Sequence, residues 1–183
     1  REDAEARDEA RELGGERVAS TAADTREQRN ARALGSLAHD ALERWDFRDA
    51  DALDRLAREA AARAARAESL EPDALARAAQ ELFATFLGSD LPAHFARVQV
   101  IGRELPLQFR DADGAAWNGT IDLLYRDGDG RLVVADYKTD RDPEHTTRAR
   151  YHAQLATYAR GVARIFPDEP APVLELVWLR SGK

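Results

Sequence analysis

Apolar and polar residues follow two different rhythms along this 183-residue chain, and the change comes near residue 95. Before it, apolar positions recur every three or four residues, the spacing that lines one face of an α-helix. Ala31, Leu34, Ala38, Ala41, Leu42 and Trp45 form one such series, and Thr25 with Gln28 precedes it at capping-box spacing. Arg1 to Leu13 reads as an alanine-rich helix stopped by Gly14-Gly15, and Asp51 to Ala67 as another. Pro72 suits the first turn of the next helix, which carries Leu75, Ala79, Leu82, Phe83 and Phe86 on one face and ends at Gly88. Most of the intervening Ala, Arg and Glu residues read as solvated helix surface.

From Arg97 the pattern becomes strand-like. Val98 to Phe109 is β-rich, with Pro106 indicating an edge or a bulge. Gly119 to Arg126 and Arg131 to Lys138 read as strands around Asp127-Gly128-Asp129-Gly130. Thr147 to Phe166 reads as a helix that Pro167 stops, and Val173 to Leu179 as a last strand. This order predicts an α/β fold with a small mixed β-sheet flanked by helices. Residues 1–95 form its helical N-terminal part and 96–183 its α/β core, within one structural domain.

Composition narrows the chemistry. At 44% hydrophobic, the chain is too apolar for wholesale disorder despite 33% charged residues. No apolar run reaches the roughly 18–20 residues that span a bilayer, and no signal-peptide pattern opens the chain. The expectation is a cytoplasmic protein with no membrane partner. The absence of cysteine excludes disulfides, thiolate zinc sites, catalytic thiols and cysteine-ligated iron–sulfur clusters. There is no methionine either, even at position 1, which fits a piece of a longer chain. A net charge of −7 argues against a simple electrostatic nucleic-acid binder. It leaves room for an enzyme whose clustered carboxylates hold a divalent cation.

The loop after Arg126 fixes where those carboxylates lie. In a three-residue hairpin loop the last residue usually turns left-handed, a position that suits Gly130. Asp127 then pairs with Arg131, Arg126 with Leu132 and Leu124 with Val134, which sets Asp122 opposite Asp136. Strand alternation adds Lys138 to the same face. A two-residue loop at Gly128-Asp129 would separate the aspartates. Because both faces of these strands are apolar elsewhere, the strands are expected to be central and covered. Two facing aspartates there need neutralising. Taken alone, the hairpin fits an Asp–Lys–Asp ion-pair network, a wet strand end, or a site for Mg²⁺ or Mn²⁺ equally well.

Five short patterns occur in order: Gly35-Ser-Leu-Ala-His39, Glu104-Leu-Pro106, Gly119-Thr-Ile-Asp122, Asp136-Tyr-Lys138, and Tyr151-x-x-Gln154-x-x-x-Tyr158. Together they resemble the PD-(D/E)XK nuclease superfamily, and within it the RecB/AddA type, the nuclease domain at the C-terminal end of UvrD-like helicases. The resemblance runs from about Ala31 to Leu179. It implies a restriction-endonuclease-like core and a metal-dependent deoxyribonuclease, exonuclease-like, acting in DNA recombination or repair. Asp122, Asp136, His39 and the Tyr137 carbonyl would be the metal ligands. Lys138 would be the catalytic lysine that orients the attacking water, and Glu104 would support the site from beside it. Gln154, Tyr158 and Tyr151 share one helix face, which in the family borders the active site and contacts DNA. Tyr151 and Tyr158 also read as simple core aromatics, and for Tyr151 that is the better reading.

The implied partners are DNA, expected to be single-stranded, and a helicase module in cis or in trans. Relatives of the iron–sulfur type carry four cysteines, and the lack of any here points to the RecB/AddA type without a cluster. Arg148, Arg150, Arg160 and Arg164 lie on or near the Gln154 helix and offer either a basic rim or ordinary solvated arginines. A nuclease-like fold that only binds or scaffolds, and a phosphodiesterase acting on RNA, are the competing readings.

Overall fold

The computed structural model describes residues 25–111, 114–140 and 145–183, without the side chains of 145–148. The helix expected over Arg1 to Leu13 lies outside these residues. Thr25 opens the first described helix through the expected capping box: its hydroxyl accepts from the Gln28 N–H at 3.2 Å, and the Gln28 side chain accepts from the Thr25 N–H at 2.8 Å. The elements that follow are α1 (Arg26–Arg44), α2 (Ala50–Glu68), α3 (Pro72–Leu87), α4 (Leu91–Phe95), β1 (Gln99–Arg110), β2 (Ala116–Arg126), β3 (Leu132–Lys138), α5 (His145–Ile165) and β4 (Val173–Trp178). The four strands form one mixed sheet in the order β1-β2-β3-β4. The architecture is that of a restriction-endonuclease-like α/β core with helices N-terminal to it. Among the described residues no helix is long and apolar enough to cross a membrane.

The described residues group into two compact units. One contains 25–97, 137–140 and 177–183. Its helices bury Leu37, Leu42, Leu53, Leu82 and Phe86, beside an aromatic cluster in which Trp45, Phe47 and Phe95 join Phe86. The alanine-rich α2 is less solvated than its composition implies. Ala57, Ala60, Ala61 and Ala65 are buried, so alanine serves as the small residue of a helix seam while Arg and Glu face water.

The other unit contains 98–136 and 145–176. β1 pairs antiparallel with β2, and β2 with β3. β1 lies at the sheet edge, which accommodates Pro106 at the rung facing Thr120. β2 begins three residues before Gly119, because Ala116 and Trp117 pair with Arg110 and Phe109, and the Trp117 and Phe109 rings stack. Leu107, Ile121, Leu124, Leu132 and Val134 of the sheet pack with Leu155, Tyr158 and Val162 of α5.

Gly161 sets the depth at which α5 seats. A Cβ there would come within 2.6 Å of Leu107 Cδ2 and 2.9 Å of Phe109 Cε1. Overpacking of this kind costs about 1–3 kcal/mol, while replacing a helix-interior glycine with alanine recovers about 1 kcal/mol. Gly161→Ala is therefore expected to lose no more than about 2 kcal/mol, and Gly161→Val to lose more, about 2–3 kcal/mol. Urea midpoints at equal slope measure both.

Candidate active site

The β2–β3 hairpin is built by its loop. Gly130 has φ +80°, its N–H bonds the Asp127 carbonyl at 3.0 Å, and the Asp127 N–H bonds the Arg131 carbonyl at 3.0 Å. The Asp127 carboxylate accepts from the backbone of Asp129 and Arg131, and from the Arg131 guanidinium at 2.8 Å. Desolvation alone would push its pKa up, but these donors hold it below the usual carboxylate range. This is the three-residue loop. The ladder runs from Arg126↔Leu132 to Leu123↔Ala135, and one more step in that register faces Asp122 with Asp136. Both aspartates are buried, at 6% and 2% exposure.

On the other side of β2, Arg103 faces Leu123 and Leu105 faces Ile121. Glu104 lies between those rungs, at the level of Asp122. Carboxylate oxygens of Glu104 and Asp122 come within 4.8 Å of one another. Glu104, Asp122 and Asp136 thus occupy one level across three neighbouring strands. Glu104 has φ +46°, a left-handed conformation that costs a non-glycine residue about 1–3 kcal/mol. The sequence carries no sign of that conformation, and so understates Glu104.

α5 closes on this level through Tyr158. The tyrosine is 7% exposed and belongs to the apolar core. Its hydroxyl accepts from the Gln154 amide at 2.9 Å and from the Thr120 N–H. Burial raises its pKa, the charges of Asp136 and Asp122 raise it further, and the two donors offset part of the rise. Gly119 provides the room, since a Cβ there would lie 2.7 Å from Tyr158 Cε1 and 3.0 Å from its hydroxyl. The Gly119–Asp122 and Gln154–Tyr158 patterns therefore interlock. Tyr151, three residues before Gln154 on α5, is half-buried.

The side chain of Arg148 lies outside the described residues, and two of the other α5 arginines are engaged with neighbouring elements. Arg160 lies over Trp117 at 5.5 Å and Arg164 over Phe109 at 5.1 Å, and both pair with Asp111, at 3.6 and 3.1 Å. Stacking and pairing commit both to the protein's own surface. Arg150 is exposed.

His39, Tyr137 and Lys138 belong to the helical unit. The His39 ring meets the Tyr137 ring edge-on, with centroids 6.1 Å apart at 76°. Tyr137 is buried and also meets Phe95, with centroids 6.4 Å apart. Gly35, one turn before His39, faces Thr139, but a Cβ there would meet Thr139 Oγ1 only at 3.8 Å, an ordinary contact. Close approach does not by itself require that glycine. Lys138 is half-buried, and its carbonyl accepts from the Leu179 N–H at 3.0 Å.

A family model described as the PD-(D/E)XK nuclease superfamily matches residues 11–182. An ATP-dependent helicase/nuclease protein of Lysinibacillus sphaericus (strain C3-41) is 30% identical over 93 residues, which cover 44% of this chain and 8% of that protein. The chain thus corresponds to a small part of this relative.

The interlock has a measurable signature. Gly119→Ala should destabilise by about 1–3 kcal/mol, because a fixed aromatic ring must move. Tyr158→Leu removes the ring, so the double variant should be more stable than the sum of the single effects predicts, by about 1 kcal/mol. Strict additivity in chemical denaturation would mean that the two residues do not compete for space.

Proposed function

From the premise that the chain belongs to the PD-(D/E)XK nuclease superfamily, we propose that it is a Mg²⁺- or Mn²⁺-dependent deoxyribonuclease domain. The observation that carries this reading is the level shared by Glu104, Asp122 and Asp136, three carboxylates on adjacent strands of a covered sheet. Hard oxygen donors with one imidazole suit Mg²⁺ or Mn²⁺ rather than a thiophilic ion. Asp122, Asp136, the Tyr137 carbonyl and His39 would hold the metal. Glu104 would support it from β1.

The metal, when bound, supplies Lewis-acid activation and offsets negative charge. The chain's own groups do the rest. Lys138, two residues beyond Asp136 on β3, orients the attacking water and stabilises charge developing at phosphorus. In-line attack breaks the bond from phosphorus to the 3′-oxygen, leaving a 5′-phosphate and a 3′-hydroxyl. Gln154 and Tyr158 hold the β2 segment that carries Asp122, and this face of α5, including Tyr151, borders the DNA. The likeness to a helicase/nuclease supports a helicase module, in cis or in trans; in this reading that module delivers single-stranded DNA for recombination or repair. The net charge of −7 supplies little counterion-release affinity of its own, in keeping with delivery by a partner.

Mg²⁺ or Mn²⁺ should raise the melting temperature in a concentration-dependent way. Asp122→Asn combined with Asp136→Asn should abolish that shift. Lys138→Ala should keep the shift while cleavage of labelled single-stranded DNA falls by about 10²–10⁴-fold. An undiminished shift in the double variant would locate the metal elsewhere, and faster cleavage of matched RNA would reassign the substrate.

A further inference from the structure

The chain immediately after Lys138 is held by residues that no motif includes. Leu179 donates its N–H to the Lys138 carbonyl at 3.0 Å. Arg180 donates through Nε to the Thr139 carbonyl at 2.6 Å. Two successive peptide planes are thereby fixed, the one leaving Lys138 and the one after it.

The donors themselves are anchored. The Trp178 carbonyl accepts from Ser181 at 3.2 Å and from Gly182 at 2.9 Å, and Trp178 donates to the Lys183 carbonyl at 2.7 Å. Gly182, at φ +63°, lies so close to Ser89 that a Cβ would meet the serine Cβ at 2.7 Å. The turn after β4 is therefore closed on itself and seated against the chain just after α3.

Resting on the reading of Lys138 as catalytic, we propose that Arg180 is a positioning residue for that lysine. Lys138 stands at the last position of β3, where the sheet ladder ends and backbone freedom rises. A charge-assisted bond to the next carbonyl removes that freedom. The lysine stem then leaves the strand in one direction, and its ammonium is presented where water must be oriented. Misplacement of a catalytic group by about 1 Å can cost about 10²-fold in rate, so a restraint of this kind matters. Arg180 also lines a cavity of about 500 Å³ with Glu27, Asn30 and Leu34 of α1 and Leu75 of α3. A direct grip on a DNA phosphate is thus the competing role, and it has a different kinetic signature.

The test uses the full chain, Mg²⁺ and a labelled single-stranded oligonucleotide. Arg180→Met keeps the apolar stem and removes the donor. It should lower kcat by about 10–100-fold, with KM essentially unchanged and the metal-induced rise in melting temperature retained. Arg180→Lys, which restores a cationic donor, should recover most of the loss. Combined with Lys138→Ala, Arg180→Met should cause no further loss, because it acts through the lysine.

A KM that rises while kcat holds would overturn the proposal in favour of a phosphate contact. A full additional loss in the double variant would also overturn it, as would wild-type kcat in Arg180→Met. Should Arg180→Met fail to fold, Arg180→Gln is measured against the same outcomes. If Lys138→Ala cleaves like wild type, the reading of the active site itself fails. If Lys138→Ala is inactive and Arg180→Met is not, only the positioning role falls.

Discussion

The carboxylates of Glu104 and Asp122 approach within 4.8 Å on neighbouring strands, and Asp136 takes the same level on the third strand. At an effective dielectric constant near 20, two ionised groups at that distance repel by about 3–4 kcal/mol. That exceeds the net worth of one hydrogen bond, about 1 kcal/mol, so groups elsewhere in the hairpin help to hold the register. The left-handed Gly130, the Asp127–Arg131 bonds and the packing of Leu124 and Val134 do so. A bound cation would turn the same repulsion into attraction for a ligand, and the proposed nuclease chemistry starts from that change of sign.

Around this level the structure supplies shape. Gly119 yields space to Tyr158, whose hydroxyl takes donors from Gln154 and from the backbone two residues before Asp122. In the helical unit, His39 lies edge-on to Tyr137, and the turn from Trp178 to Lys183 holds the carbonyls of Lys138 and Thr139. Sheet and helices thus each fix their own site residues by packing and by hydrogen bonds to backbone. Such anchoring suits a site whose groups must act together.

What the sequence disclosed is mostly local. The Thr25 capping box, the start of α3 at Pro72 and the three-residue loop ending in Gly130 depend on residues only a few positions apart, and turn chemistry encodes them directly. The hairpin register, and with it the facing of Asp122 and Asp136, followed from one loop. What stayed hidden is long-range or conformational. The contact of Arg180 with Thr139 spans 41 positions, and no periodicity announces it. The positive φ of Glu104 is a backbone state that glutamate does not signal by residue type. The alanines of α2 read as surface because side-chain size, not polarity, fits them to a seam. Between a basic rim and ordinary solvated residues the sequence could not decide for Arg160 and Arg164, because the Asp111, Phe109 and Trp117 that engage them lie far away along the chain.

Anomalous diffraction from crystals grown with Mn²⁺ tests most directly whether the carboxylate level exists to hold a metal. A strong anomalous peak in coordinating contact with both Asp122 and Asp136 is the predicted result. Crystals saturated with Mn²⁺ that show no peak there, with the two carboxylates instead paired to lysine or arginine, would contradict it.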